Sequence, residues 1–321
     1  MKKCLLITDV VKEVGLEKKI LSKFNIIFKK INDLTKKDFL KIDGILTGHE
    51  IIFDEKLLRK FSNCKVIVRY GAGYNNIDIN KARDMKIRVF NVPDYGTNEV
   101  ADVAIAMTMS LLKNLNEFYF NILKKDKLKY WNYESGYIHR RLSKLKIGVV
   151  GLGRIGKSFA SRFNSLGSSI YFYDPYVKNK KFKKISSLGK LFSICDVISL
   201  HVPSTKVTKF FITDKLLNKT MKKIILINTA RGDLIKQKTV IKGLKSGKIL
   251  CYGADVLEKE PINFKDKFFQ LIKKKEFQSR VIITPHSAFY TRESFFDLRF
   301  KACKTMNSFL LKNSLKNCVN K

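Results

Sequence analysis

The stretch LKIGVVGLGRIGKSFASRFNSLGSSIYFYDPY, residues 145–176, sets a glycine-rich turn between an apolar strand and an amphipathic helix. Gly151 allows the sharp strand-to-helix turn, Gly153 lets a pyrophosphate approach the backbone, and Gly156 lets the helix pack closely on the sheet. Residues 147–150 read as a buried strand. Ile155, Phe159, Phe163 and Leu166 form one helical stripe, and Gly167 is placed to end that helix before a strand over 169–173. Asp174 then stands at the tip of the second strand, about 20 residues beyond the first glycine, where a ribose diol would be held. A G-x-G-x-x-G alone is a weak signal. Strand, helix and acidic residue in the right order around it make this a dinucleotide-binding unit.

The chain of 321 residues is long enough for two domains with their own cores, and a hydrophobic fraction of 45% fits a soluble globular protein. No apolar run approaches the roughly 20 residues of a membrane span, and the first residues turn polar too soon for a secretory signal, so a cytoplasmic protein is expected. The six cysteines are scattered at 4, 64, 195, 251, 303 and 318, without C-x-x-C or metal-ligand spacing. Such scatter suits reduced, mostly buried thiols, with no disulfide framework and no metal site. The formal charge of +36 favours contact with anions. It is carried mainly by Lys spread along the whole chain, with no basic tail and no nucleic-acid motif. The expectation is salt-sensitive, sequence-independent adhesion, not a specific nucleic-acid or membrane partner.

Alternating strands and helices run through the segment before the glycine turn and resume after Asp174. Strands are expected over 4–8, 25–28, 44–46, 66–69 and 88–91, with helices such as 57–61 and 80–85 between them. From Thr97 a helix is expected with Val100, Ala104, Met107 and Leu111 on its apolar face, a candidate dimer surface. Further strands over 197–202, 223–228, 250–256 and 281–284 would complete a parallel sheet of about six. A last amphipathic helix over 292–312 precedes a polar tail expected to fray. The fold class is therefore α/β, with a doubly wound parallel sheet.

Ligands of open α/β sheets bind outside the carboxyl ends of the strands, which singles out three residues. Arg231 follows one strand in NTARG, Glu260 the next in DVLEKEP, and His286 the last in TPHSAFYT. These are the parts needed for carbonyl reduction beside a nicotinamide. His286 would pass a proton to the carbonyl oxygen, Glu260 would hold the imidazole and favour its protonated form, and Arg231 would fix a substrate carboxylate. His201 is expected to contact the cofactor or pack the crevice; His49 and His139 are expected to have no chemical role.

With these motifs in order, the chain resembles the NAD-dependent D-isomer-specific 2-hydroxyacid dehydrogenases, the family of D-lactate, glycerate and phosphoglycerate dehydrogenases and the C-terminal binding proteins. The likeness runs from about 66 to 303 and rests on VRYGAGYNNID (68–78), NVPDYGTNEVAD (91–102), RRLSKLKIGVVGLGRIG (140–156), YDPY, HVPST (201–205), NTARG, DVLEKEP and TPHSAFYT. It implies Arg231, Glu260 and His286 as the catalytic set. It implies that NAD is held by Gly151, Gly153, Arg154, Ile155, Gly156, Asp174, His201, Val202, Pro203, Thr229, Ala230 and Asp255, with Asp255 meeting the nicotinamide carboxamide. The backbone around Arg69, Tyr70, Gly71, Ala72, Gly73 and Tyr74 is implied to cradle the substrate carboxylate, which suits the amides of a glycine-rich turn.

The resemblance further implies a discontinuous layout. A flavodoxin-like substrate domain would comprise 1–99 and 289–321, a Rossmann domain 100–288, and two copies would pair into a homodimer largely through the cofactor domains and the helix after Thr97. The first 60 residues match no motif, and Val103 stands where the family usually has His. The TPHSAFYT and NVPDYGTNEVAD motifs lean toward the D-lactate or C-terminal binding protein branches, and the regulatory domain of long phosphoglycerate dehydrogenases is not expected. Two functions follow from the resemblance: an oxidoreductase interconverting a D-2-hydroxy acid and its 2-oxo acid with NAD(H), or an NADH-sensing scaffold like the C-terminal binding proteins.

Overall fold

The computed structural model describes residues 2–8, 11–123, 131–137 and 140–321, so His139 lies outside the described residues. The chain divides into two compact units, one of Met1–Gly96 with Tyr290–Lys321 and one of Thr97–Phe289.

In the first unit the chain runs β1 (Cys4–Ile7), α1 (Gly15–Ile20), β2 (Asn25–Phe28), α2 (Lys36–Lys41), β3 (Ile42–Thr47), α3 (Glu55–Leu58), β4 (Val66–Arg69), α4 (Ile79–Asp84) and β5 (Arg88–Phe90). The strands form a parallel sheet in the order β2-β1-β3-β4-β5, which is the flavodoxin-like winding. The inner strands read as near-continuous apolar runs because helices cover both faces of such a sheet; all of Val66–Arg69 is buried. Helix α3 begins earlier than the apolar pattern suggests, because the Asp54 carboxylate accepts the Leu57 N–H at 2.8 Å and caps it.

The second unit begins with α5 (Thr97–Leu112) and α6 (Leu115–Leu123), then continues β6 (Lys146–Val150), α7 (Arg154–Ser165), β7 (Ser169–Tyr173), β8 (Lys183–Lys184), α8 (Leu188–Ile194), β9 (Val197–Leu200), α9 (Asp214–Leu217), β10 (Ile224–Asn228), α10 (Gln237–Lys245), β11 (Ile249–Ala254), α11 (Lys267–Ile272), α12 (Lys275–Gln278) and β12 (Val281–Ile283). Its parallel sheet has seven strands, in the order β12-β11-β10-β9-β6-β7-β8. That is the Rossmann winding with one strand added at the far edge, and the order reverses between β6 and β9. The strand missed in the sequence, β8, is two exposed lysines paired to β7, with no apolar pattern to betray it.

Two expectations about helices are corrected here. Ala104, Met107 and Leu111 of α5 are buried in the core of their own unit, together with Phe159 and Phe163 of α7, so the apolar face of α5 is an internal contact. On α6, by contrast, the large apolar side chains Leu115, Tyr119, Ile122 and Leu123 are exposed. On α7, Phe159 and Phe163 are buried as the stripe requires, but Leu166 at the C-cap is exposed, and Gly167 ends the helix with φ of +84°.

The chain returns to the first unit with α13 (Arg292–Lys312). Its bounds have visible causes: the Thr291 hydroxyl accepts the Ser294 N–H at 3.1 Å, and Asn313 ends the helix in the left-handed region. The tail beyond does not fray. It runs antiparallel to β5, where the Val319 N–H donates to Val89 O at 2.9 Å and Cys318 pairs with Phe90. Asn320 is fully buried; its side-chain oxygen accepts the Val89 N–H at 2.8 Å and its amide donates to Ile87 O at 2.8 Å. The tail thereby covers the open edge of the five-stranded sheet. No helix among the described residues is long and apolar enough to cross a membrane.

Candidate active site

The glycine turn leaves β6 at the point where the strand order reverses. Gly151 has φ of +89°, and a Cβ there would meet His201 O at 2.7 Å, so the turn lies against the segment leaving β9. A Cβ on Gly156 would stand 2.1 Å from Gly151 O, which forces glycine at that position of α7. Gly153 differs. A Cβ there would meet nothing within 4 Å, and Gly153 caps α7 with no side chain satisfying the first amides. Two of the three glycines are demanded by the protein's own packing, while the third keeps an open helix N-terminus of the kind that binds phosphate. Arg154 and Ile155 form its first turn.

Asp174 does more than the sequence suggested. Its Oδ2 accepts the Leu152 N–H at 2.8 Å, and its Oδ1 accepts those of Tyr176 and Val177 at 2.9 and 3.1 Å. The carboxylate thus ties the glycine turn to the end of β7. An ionised carboxylate has about four lone-pair sites, so capacity for a diol hydroxyl is left.

His201 follows β9. Its Nε2 lies 2.9 Å from Ser199 Oγ and its ring packs on Phe159. Burial pushes the imidazole down to about 3, so it is neutral at physiological pH. Val202 and Pro203 continue this segment, and Pro203 O accepts the Thr208 hydroxyl at 2.7 Å.

Thr229 lies just past β10, nearly buried, and its Oγ1 has no hydrogen-bond partner among the described residues. A buried hydroxyl without a partner is costly unless a ligand completes it. The open Gly153 terminus, the Asp174 carboxylate and the orphaned Thr229 hydroxyl, all at the carboxyl ends of one sheet, fit a dinucleotide cofactor.

The three candidate catalytic residues follow β10, β11 and β12. Asn228 accepts the Ala230 N–H at 3.1 Å and donates to Arg231 O at 2.9 Å, pinning the turn that carries Arg231. The Arg231 Nη1 donates to Ala230 O at 2.5 Å. At the next residue, Gly232, a Cβ would stand 1.8 Å from Leu257 O. Only glycine lets the loop after β10 touch the loop after β11, so the G of NTARG is a packing requirement.

The two glutamates of DVLEKEP separate cleanly. Glu258 Oε2 accepts the Gln237 N–H at 2.6 Å and serves the N-terminus of α10. Glu260 Oε1 accepts the Leu257 N–H at 2.8 Å, and its Oε2 lies 2.7 Å from His286 Nδ1. Held on one oxygen by backbone, the carboxylate orients the imidazole with the other. This directs the Nδ1 proton to Glu260.

Asp255 is the residue whose structural work the sequence reading missed. Its Oδ1 accepts the Thr284 hydroxyl at 2.5 Å and the Ser287 N–H at 2.8 Å, its Oδ2 accepts the Ala288 N–H at 3.0 Å, and its carbonyl accepts the His286 N–H at 2.8 Å. His286 itself has φ of +54°, an uncommon conformation for a side-chain-bearing residue that these bonds hold in place. The available signal was strand adjacency: β11 and β12 pair Ala254 with Ile283, which puts Asp255 beside Thr284.

In the first unit, the candidate carboxylate loop follows β4. Arg69 is buried and donates to Tyr70 O at 2.7 Å. The carbonyls of Gly71 and Ala72 are drawn back into the protein by the Val92 N–H at 2.9 Å and the Asn91 amide at 2.7 Å. Among the described residues no acceptor is seen for the N–H groups of Gly71, Ala72, Gly73 and Tyr74. Carbonyls tied back with amides left open is a backbone arrangement that can receive an anion. His49 is exposed, with Glu50 at 3.5 Å.

Known proteins resemble the chain over most of its length. A family model described as the D-isomer specific 2-hydroxyacid dehydrogenase NAD-binding domain matches residues 105–288. The 2-hydroxyacid dehydrogenase A of Aspergillus oryzae is 34% identical over 256 residues, spanning 77% of this chain and 72% of the relative. The D-3-phosphoglycerate dehydrogenase of Bacillus subtilis is 30% identical over 90% of this chain, which spans only 54% of that longer protein. Among solved structures, the D-lactate dehydrogenase of Aquifex aeolicus, crystallised with NAD and lactic acid, is 28% identical with a TM-score of 0.85 and covers 99% of both chains. A D-2-hydroxyisocaproate dehydrogenase is 25% identical with a TM-score of 0.84, over 99% of this chain and 100% of that one. The chain belongs to the NAD-binding D-isomer-specific 2-hydroxyacid dehydrogenase family.

Proposed function

We propose that this protein interconverts a small D-2-hydroxy monocarboxylate and its 2-oxo acid, using Arg231, Glu260 and His286. NAD, when bound, supplies or accepts the hydride. In the reducing direction His286 Nε2 gives its proton to the carbonyl oxygen, and Glu260 holds the imidazole by Nδ1 and offsets the positive charge it carries before transfer. Arg231 grips the substrate carboxylate through its planar fork and polarises the carbonyl. In the first unit, the open amides of residues 71–74 offer donors to a carboxylate. In this reading the unit of Thr97–Phe289 holds the cofactor. Asp174 selects NAD over its 2′-phosphorylated form, since a carboxylate repels that phosphate.

The observation that carries the reading is the 2.7 Å contact between Glu260 and His286, with Glu260 fixed on its other oxygen by the Leu257 N–H. That pairing supports turnover over a scaffold role. The test is NADH oxidation by the purified protein with pyruvate, hydroxypyruvate, glyoxylate, phosphohydroxypyruvate and branched 2-oxo acids. Steady turnover of one or more supports the reading, and the preferred member names the side chain accepted; no turnover of any sinks it.

The working form proposed is a homodimer in the cytoplasm. All six cysteines are unpaired thiols, which suits a reducing compartment. The exposed Leu115, Tyr119, Ile122 and Leu123 of α6 form a one-sided apolar stripe that a second copy would cover by two-fold symmetry. Sedimentation equilibrium on the parent and on Tyr119→Glu measures this.

A further inference from the structure

Behind the candidate carboxylate loop, in the interior of the first unit, lies a buried ion pair. Glu17 of α1 is fully buried, and Arg299 of α13 is nearly so. The two meet as fork to fork: Arg299 Nε donates to Glu17 Oε1 at 2.7 Å and Nη2 to Oε2 at 2.6 Å. Arg299 is held in turn by Glu13, through Nη1 to Oε1 at 3.1 Å and Nη2 to the Glu13 carbonyl at 2.8 Å, and its guanidinium lies over the Phe295 ring. A third group joins the pair. The Tyr70 hydroxyl donates to Glu17 Oε1 at 3.3 Å, and Tyr70 is the first residue after β4, directly before Gly71.

An ion pair in an apolar interior is not a cheap source of stability, because desolvating two charges offsets most of their attraction, and apolar side chains of similar volume often serve as well. What such a pair does supply is direction, since a two-pronged contact fixes both partners in one plane. Here the direction is passed to Tyr70. Its N–H continues the sheet by donating to Thr47 O at 2.8 Å, its carbonyl is held by Arg69, and its ring end is held by Glu17. Burial above all keeps the phenol protonated well beyond the physiological range, so the hydroxyl is a permanent donor. Residue 70 is thus fixed at its amide, its carbonyl and its side chain, immediately before four consecutive amides that have no acceptor among the described residues.

We infer that Glu17 and Arg299 are positioning residues for substrate binding, which act through Tyr70 to hold the amides of residues 71–74 at the spacing a carboxylate requires. The inference rests on the proposed function in taking that loop as the carboxylate site. Preorganised donors bind an anion without having to be ordered first, so loosening the anchor weakens the carboxylate contact more than it slows the chemistry, which belongs to other residues.

The test uses the full-length protein and two variants, Tyr70→Phe, which removes one hydroxyl from a buried ring, and Arg299→Lys, which keeps a charge but loses the fork. Each is compared with the parent for KM and kcat on the best 2-oxo acid, for NADH Kd, and for hydrogen–deuterium exchange of the peptide covering 70–75. The expected result is a KM raised about ten-fold, a smaller fall in kcat, an NADH Kd within about two-fold of the parent, and faster exchange at 70–75. A residue that merely supports the fold would lower the melting temperature while leaving KM and loop exchange as they were, and that result overturns the inference. Should Arg299→Lys fail to fold, Tyr70→Phe alone decides it. Should the parent reduce no 2-oxo acid, the proposed function falls, while the exchange comparison still decides whether the pair holds the loop.

Discussion

The Asp255 carboxylate at the end of β11 accepts the Ser287 N–H at 2.8 Å, so an acid on one strand grips the backbone beside a histidine carried by the next. With the bonds to Thr284 and Ala288, both carboxylate oxygens are engaged by the loop that bears His286. Asp255→Ala leaves those donors without acceptors in a nearly dry setting, at a cost of about 1–3 kcal/mol for each buried group. The variant is expected to lose kcat by about ten-fold or more through misplacement of His286 and to melt earlier. Unchanged kcat at saturating substrate would show that the loop holds itself.

Asp174 serves two masters, the protein's own backbone and the proposed ribose. Asp174→Ala is expected to weaken NADH binding and reduce the preference for NADH over NADPH, and also to lower thermal stability because three backbone N–H groups lose their acceptor. Isothermal titration with both cofactors, alongside a melting curve, separates the two effects. A variant whose cofactor preference is unchanged would leave Asp174 as a brace only.

The C-terminal tail gives a prediction about stability. Asn320→Ala strips the Val89 N–H and the Ile87 carbonyl of their partners in a fully buried position. The loss expected is about 2 kcal/mol, a fall in melting temperature of roughly 5 °C. Calorimetry reads it directly, and a melting temperature equal to the parent's would mean the tail is not part of the sheet edge in solution.

His201 makes the stability depend on pH. Burial holds its folded-state value down to about 3, against an ordinary value near 6.5. Between those limits the unfolded chain binds a proton that the folded chain refuses, so stability falls as pH is lowered from about 6.5 toward 3, by up to about 1.4 kcal/mol per pH unit. His201→Gln should flatten that slope in urea titrations at pH 4 to 7. An equal slope in the variant would assign the acid sensitivity to other groups.

What could be read in advance was local. The strands over 25–28, 66–69 and 169–173 and the helix over 292–312 coincide residue for residue with their patterns, because an apolar run or stripe between turn and capping residues is written in neighbouring positions. The features missed join residues far apart in the chain. Asn320 pairs with β5 across more than two hundred residues, Gly232 is fixed by Leu257, and the lysines of β8 are held by β7 and not by any pattern of their own. At the site, residue types after strand ends identified Arg231, Glu260 and His286 as candidates. The sequence reading named Glu260 as the partner of the imidazole but gave Glu258 no role, since its bond to the start of α10 depends on which loop the carboxylate reaches.

The central claim is that His286, oriented by Glu260, is the proton donor. Single-turnover reduction of the best 2-oxo acid by NADH tests it most directly. His286→Ala is predicted to lose about 100-fold or more in rate with NADH binding nearly unchanged, and Glu260→Gln, which keeps a hydrogen-bond partner but removes the charge, to lose less. A His286→Ala protein that reduces the substrate at close to the parental rate would contradict the account and place the proton donor elsewhere.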